Sequence, residues 1–274
     1  MRTGEQLKGG LKRLVKGVAA GPARPNAGRS LILTYHSVGA RDHEMNVTPR
    51  NFAEQMAWLT DTRAVNSLAE VVERGEGVAI TFDDGYRDNL LEAAPILSRR
   101  NISASVFIVS GRVGAWLDHD TRATQSQLMS WDEIAEIAAA GWAIGSHTVT
   151  HPVLSRLSPE RQRREIADSK SEIESRLKAS LASFAYPFGS ALDYTAQTQR
   201  LVRQSGYAFA LSNRYGTNGA GADRFALRRV WIDRRDTLET FQAKVERRLE
   251  RLAWLDGAVG IRARRVMNRL LRAG

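Results

Sequence analysis

The chain has no cysteine in 274 residues. That excludes a disulfide-stapled scaffold, a cysteine-ligated zinc or iron–sulfur centre and a thiol nucleophile. No uninterrupted apolar run approaches the ~20 residues that span a bilayer, so the chain reads as soluble or, at most, surface-bound. A secretory leader is not expected: after Lys16 the stretch Gly17–Ala23 is short and interrupted by Gly21 and Pro22, a poor apolar core for a signal peptide. This favours a cytoplasmic location. Internal repeats, low-complexity tracts and long linkers are absent. Histidine is scarce, with five in the chain, so two close together carry weight.

What is present begins with charge. The formal net charge is +10, which suggests nucleic acid until it is divided along the chain. Residues 1–30 hold seven Lys/Arg against Glu5, and residues 246–274 hold eight Arg against Glu246, Glu250 and Asp256. The part between is close to neutral. A nucleic-acid enzyme carries its basic residues on the binding face; here they sit at the ends, which argues against nucleic acid as a partner. Both ends are amphipathic. Leu7, Leu11, Leu14, Val15 and Val18 recur at helical spacing among Lys8, Lys12, Arg13 and Lys16, and Ile261, Val266, Leu270 and Leu271 recur among arginines. Such helices either pack on the domain with a solvated basic face or attach peripherally to anionic lipid at the inner membrane surface. Oligomeric state is not legible.

Short apolar runs alternate with helix-period segments. Strands are predicted at Leu31–Tyr35, Val78–Phe82, Ala104–Val109, Trp142–Gly145, Ser183–Tyr186, Phe209–Ser212 and Phe225–Trp231. Between them, Thr48 caps a helix that opens on Pro49. Ser130 with Glu133 makes a capping box, and Gly141 marks that helix's stop. Ser158–Pro159 opens a long helix to about Lys178, another runs from near Tyr194 to Gly206, and a last one passes through Phe241, Val245 and Leu249. Strand–helix alternation over about 200 residues argues for a parallel sheet or (β/α) barrel. The division expected is a basic extension at 1–29, one catalytic domain at 30–245 and a basic helical extension at 246–274.

Two segments carry chemistry. In Ala79-Ile80-Thr81-Phe82-Asp83-Asp84-Gly85-Tyr86 an apolar strand ends on adjacent carboxylates. In a parallel α/β architecture that end is the functional face, and the repulsion between the carboxylates calls for a cation. The second is Gly145-Ser146-His147-Thr148-Val149-Thr150-His151-Pro152, a loop leaving a strand with two histidines in five residues. Two imidazoles and one carboxylate form a catalytic metal set with vacant positions for water and substrate.

Thr-Phe-Asp-Asp-Gly-Tyr followed by His-Thr-x-x-x-His-Pro resembles the polysaccharide deacetylases, the NodB-type carbohydrate esterases. The likeness runs from Tyr35-His36-Ser37-Val38 to Leu227-Arg228-Arg229-Val230 and includes Phe184-Ala185-Tyr186-Pro187-Phe188-Gly189. The resemblance implies a distorted (β/α) barrel of about seven parallel strands and metal-dependent removal of acetyl groups from sugars. It implies Asp84, His147 and His151 as metal ligands, Asp83 as general base, and a backbone N–H in Pro187-Phe188-Gly189, at Phe188, as oxyanion donor. Zinc is the expected ion; cobalt, nickel or iron suit the same ligands.

The sequence departs from the family pattern twice. Many members orient the base with an arginine where this chain has Ala185; Arg228 and Arg229 are the candidates to replace it. Many also carry a C-terminal histidine as acid, whereas here no histidine follows His151. His36, at the end of the first strand, is the candidate, in a layout similar to the poly-N-acetylglucosamine deacetylase branch. Tyr86, Trp116, Trp131 and Phe188 are candidates to stack on sugar rings, although such aromatics also suit a core; His43 and His119 read as surface residues. The expected function is an N-deacetylase acting on a polysaccharide, oligosaccharide or lipid-linked saccharide in bacterial exopolysaccharide or envelope metabolism. The rivals are a deformylase or other amide hydrolase, and a catalytically silent carbohydrate-binding relative.

Overall fold

The structure, a computed structural model, describes residues 22–24, 28–41, 43–117 and 127–250. The terminal helices expected around Leu7–Val18 and Ile261–Leu271, and His119, lie outside the described residues.

Seven parallel strands form the centre: β1 (Arg29–Tyr35), β2 (Gly77–Phe82), β3 (Ser105–Ile108), β4 (Ala143–Ser146), β5 (Ser183–Ala185), β6 (Phe209–Tyr215) and β7 (Leu227–Trp231). Each pairs with the next, and β7 returns to β1 through Leu33↔Val230 and Thr34↔Trp231. The sheet is a closed, distorted (β/α) barrel, as the resemblance implies, and all seven strands fall where the apolar runs place them. A short strand, Asn218–Gly219, pairs antiparallel with the start of β1, and Ser37–Val38 pairs with Asn46–Val47 beside the barrel.

Strands buried on both faces read as continuous apolar runs, but alternation still decides which side each residue serves. Leu31, Leu33, Tyr35, Val78, Ile80 and Phe82 join the layer between barrel and helices, whereas Ile32, Ala79, Phe107, Leu211 and Leu227 fill the interior. Gly145 makes room inside: a Cβ there would lie 2.4 Å from the Phe107 ring.

The helices form the outer layer. α1 (Pro49–Thr62) is capped by Thr48, whose Oγ1 accepts from the Asn51 N–H at 3.2 Å. α2 (Leu68–Arg74), which the apolar pattern does not announce, has a Ser67/Glu70 capping box and lends Leu68 and Val71 to the interior cluster. After a π turn at Asn89–Ala93 comes α3 (Ala94–Ser98). α4 (Trp131–Ala139) has the expected Ser130/Glu133 box and stops before Gly141. α5 (Pro159–Leu177) begins on Ser158 and ends on Lys178. α6 (Ala196–Gln204) and α7 (Leu238–Val245) complete the layer, N-capped by Thr195 and Thr237. Among the described residues no helix is long and apolar enough to cross a membrane.

Candidate active site

The barrel interior changes character along its axis. On β1 one parity reads Ile32, Thr34 and then His36; on β2 it reads Ala79, Thr81 and Asp83; on β7 it reads Leu227, Arg229 and Trp231. Apolar side chains fill the lower interior, hydroxyls stand in the middle, and charged or aromatic groups emerge at the C-terminal ends. That end is where parallel barrels gather function.

Asp84, just past β2, and His147 and His151, past β4, converge there. Their candidate ligand atoms lie within 4.8 Å of one another. Asp84 Oδ1 is 3.5 Å from His147 Nε2 and 3.4 Å from His151 Nε2. Donor atoms held about 2.0–2.2 Å from one tetrahedral cation sit roughly 3.4 Å apart, so the spacing fits a shared ion. The tautomer fits as well. His147 Nδ1 lies 2.8 Å from the Ala185 carbonyl oxygen, which can only accept; Nδ1 therefore carries the proton, and Nε2 turns its lone pair to the site. All three side chains are nearly inaccessible to solvent.

The backbone holding them is unusual. Among the described residues seven non-glycine residues have positive φ, and of these Asp84 (72°), Thr148 (70°), His151 (59°) and Phe188 (61°) belong to this region. Asp adopts the left-handed conformation with some ease, but β-branched Thr148 is a genuine outlier. Each such residue costs on the order of 1–3 kcal/mol and persists only when its surroundings impose it. Here they do. Thr148 Oγ1 donates to the His147 carbonyl and accepts the His151 N–H at 3.0 Å. Glu165 of α5 accepts the N–H groups of Val149 (3.0 Å) and Thr150 (2.9 Å) and the Thr150 hydroxyl (2.7 Å). One carboxylate thus clamps the loop between the two histidines.

Asp83 faces the same space. Arg229 donates to it as a two-pronged fork, Nη1 to Oδ1 at 2.7 Å and Nη2 to Oδ2 at 2.6 Å. Arg229 Nε is anchored on the Ser212 carbonyl and Nη1 also reaches Thr81 Oγ1. Both members of the pair are inaccessible to solvent. Burial pushes the Asp83 carboxyl up, but the Arg229 guanidinium, with His147 and His36 nearby, holds it well below the usual carboxylate range. Arg228, the other orienting candidate, does not share this role. One residue earlier on the strand, it takes the opposite face, where its Nη1 donates to the Tyr215 carbonyl at 3.3 Å. Strand alternation separates the two arginines.

His36 Nε2 stands 4.0 Å from Asp83 Oδ2. Its ring is 6.0 Å from that of Trp231, a half-exposed indole that sequence reasoning left unassigned. Two residues behind His36 were also missed. Asn89 Nδ2 donates to the His36 carbonyl at 2.8 Å, and Asp88 accepts the Ser37 hydroxyl (2.5 Å) and the Val38 N–H (3.2 Å). Together they fix residues 36–38. Burial pushes the Asp88 carboxyl up to about 6, against the lowering effect of its Ser37 and Val38 donors.

Phe188 is exposed, its ring 4.8 Å from that of His151, while Pro187 is buried. Asn213 holds this turn through its N–H to the Gly189 carbonyl and its side-chain amide to the Phe188 carbonyl. Tyr86 is buried with Val109, Leu117 and Leu128, and Trp131 lies under Arg176. Trp116 is exposed, and His43 is half-buried with Nδ1 accepting the Met45 N–H.

A closed parallel barrel with an Asp-His-His cluster at its C-terminal rim is a candidate metal site of several enzyme classes, and the comparisons make it particular. The polysaccharide deacetylase profile matches residues 71–210, and the chain belongs to that family. YxkH of Bacillus subtilis (strain 168), which by its name is grouped with polysaccharide deacetylases, is 29% identical over 224 residues, or 78% of this chain and 75% of YxkH. Among solved structures, the Streptococcus pyogenes deacetylase PplD in complex with acetate superposes with a TM-score of 0.68 at 23% identity, covering 79% of this chain and 97% of that one. IcaB from Ammonifex degensii gives 0.67 at 24%, covering 81% and 97%. At these identities the two structures bear on the fold.

Proposed function

We propose that this protein hydrolyses the N-acetyl groups of an N-acetylated saccharide, with a divalent cation, zinc by preference, on Asp84, His147 and His151. The observation that carries the reading is the division of labour between adjacent aspartates: Asp84 faces two imidazoles, while Asp83 is held ionised by the Arg229 fork beside His36. A cation in that cluster supplies Lewis-acid polarisation of the acetyl carbonyl and a water of lowered pKa.

The chain's own groups do the rest. Asp83, ionised and oriented by Arg229, accepts the proton of the attacking water as its oxygen bonds to the acetyl carbon. The Phe188 N–H donates to the oxygen that gains charge. The C–N bond then breaks, the sugar amine leaves with a proton from His36, and acetate is the second product. Phe188 and Trp231, exposed on two sides of the site, are the faces offered to sugar rings. The catalytic domain is 30–245. Arg29 opens β1, and Arg24 meets Glu246 and Glu250 on the barrel; we assign the basic residues of 1–29 and 246–274 that lie outside the described residues to an anionic membrane surface, which suits a substrate in exopolysaccharide or envelope glycan metabolism.

The test is acetate release from N-acetylglucosamine oligomers by metal-stripped protein, with and without added zinc or cobalt. Release that depends on metal, and that His36→Ala slows by about 10²–10⁴-fold while metal still binds, is the expected outcome. Stoichiometric metal binding without release would remove soluble glucosamine oligomers as substrates.

A further inference from the structure

The segment that follows His36 contains one hydroxyl with two acceptors. Ser37 Oγ lies 2.8 Å from Asn46 Oδ1 and 2.5 Å from Asp88 Oδ2, and a hydroxyl has a single proton to give. Asn46 is no donor here. Its Nδ2 donates to the carbonyls of Gly39 at 2.7 Å and Arg41 at 2.9 Å, so the amide is oriented with Oδ1 toward Ser37, where it can only accept. Asp88 Oδ1 accepts the Val38 N–H and the Asn89 amide, each at 3.2 Å, which leaves Oδ2 as the oxygen to bear a proton. The two acceptors stand close together: a Cβ at Gly39 would lie 3.3 Å from Asn46 Oδ1 and 3.5 Å from Asp88 Oδ2.

Two arrangements suit this geometry. With the Asp88 carboxyl protonated, Oδ2 donates to Ser37, Ser37 donates to Asn46 Oδ1, and Asn46 donates onward to Gly39 and Arg41, so each of these polar atoms has a partner. With Asp88 ionised, the Ser37 hydroxyl turns to the carboxylate. Asn46 Oδ1, on a fully buried residue, then loses its donor, and a buried acceptor left unsatisfied is destabilising. Burial favours the first arrangement and pushes the carboxyl up to about 6. Arg41 on the loop favours the anion, and Glu92 on the π turn opposes it. The other charged or titratable groups of these segments are engaged: Glu44 pairs with Arg235 and Arg87 with Glu133, while His43 accepts the Met45 N–H.

We propose that Asp88 is a positioning residue for His36, its proton deciding whether Ser37 latches the 39–46 loop, through Asn46, to the strand end that carries His36. The link is short. Ser37 follows His36 directly, its N–H reaches the Met45 carbonyl at 3.4 Å, and the Asn89 amide that holds the His36 carbonyl also bonds Asp88. In the latched arrangement the segment is held from the loop and from the π turn together; when Asp88 ionises, the loop side slackens. The consequence for turnover rests on His36 as the acid of the deacetylase reading, whereas the hydrogen-bond switch stands apart from it.

Magnetic resonance on the full-length chain tests the switch without activity, following the Asp88 carboxyl carbon, the Asn46 side-chain amide and the His36 ring against pH. All three should share an inflection near pH 6, which the His36 ring shows beside its own titration. In Ser37→Ala the carboxyl should still titrate, while the Asn46 and His36 signals lose that inflection. Asp88→Asn, whose amide donates to Ser37 as the protonated acid does, should keep the latched signals at every pH. In acetate release, kcat should carry a component that falls as pH rises through about 6, with KM unchanged. Asp88→Asn should hold that component at its higher level and Ser37→Ala at its lower one. An Asn46 amide indifferent to pH, or one that still follows Asp88 in folded Ser37→Ala, would overturn the switch. A His36 ring without the shared inflection, or a wild-type kcat profile in Ser37→Ala, would overturn the positioning role. Shared inflections without any acetate release would count against the deacetylase reading alone.

Discussion

Along β2, from Val78 to Phe82, every side chain is buried, and Phe82 packs its ring 5.0 Å from Trp142 and 5.6 Å from Tyr35. Two residues on, Asp84 is left-handed and Asp83 is a buried anion. None of the seven barrel strands contains a non-glycine residue with positive φ, while the loops above them hold four such residues at one site. The wall gains stability from regular register and apolar burial. The rim spends some of it on strained backbone and desolvated charge, held by networks that reach in from other elements. Rim substitutions should therefore alter chemistry and metal affinity more than wall substitutions of equal size.

The largest effect is expected at Arg229. Arg229→Met leaves Asp83 buried and unpaired, which costs about 3–5 kcal/mol when one partner of a buried pair is lost. The carboxyl escapes part of that cost by taking a proton, and so ceases to be a base. Chemical denaturation should show the stability loss and acetate release the loss of turnover. Adding Asp83→Leu should restore much of the stability and none of the activity, turning that part of the rim into wall.

A middle effect is expected at Glu165. Glu165→Gln cannot accept all three donors of the 149–150 loop, so the histidines lose their fixed approach. Zinc affinity should fall about 10–100-fold, the usual consequence of losing an outer support of a metal ligand. Competition with a chelator reads this directly, and the melting temperature of the metal-free protein should move little. An unchanged zinc affinity would assign Glu165 to α5 alone.

The smallest effect belongs to Asp88. Its carboxyl titrates near 6 in the folded protein, above its ordinary value of 3.8. Between those values the folded state binds more protons than the unfolded state, so stability falls as pH rises from about 4 to 6 and levels off above. Asp88→Asn should flatten that slope by on the order of 1–2 kcal/mol, measured by denaturant titration across the window. An identical slope in the variant would place the titration elsewhere.

Much of the barrel was legible because strands buried on both faces leave uninterrupted apolar runs, and Thr48, Ser130 and Ser158 announce their helices by local capping chemistry. The Asp83-Asp84 and His147-His151 segments were legible because each lies within one loop. What escaped depends on contacts across the fold. Choosing Arg229 over Arg228 needs the register of β7 against β1, its neighbour in the closed barrel, since alternation alone says only that one of them turns inward. Glu165 acts from a helix 18 residues after His147, on a face that reads as solvated charge. Asp88 holds Val38 from 50 residues away and Asn89 holds His36 from 53, and no local pattern links them. Tyr86 looked like a residue of the site by adjacency to Asp84, yet its ring belongs to a small cluster with Leu117 and Leu128.

The central claim is that two neighbouring aspartates do different work. The direct measurement is zinc content and acetate release side by side for Asp83→Asn and Asp84→Asn. Asp83→Asn should retain one zinc per chain and lose turnover by about 10²–10⁴-fold, whereas Asp84→Asn should lose the zinc and the activity together. An Asp83→Asn variant that releases acetate at the wild-type rate, or an Asp84→Asn variant that keeps its full zinc content, would contradict the account.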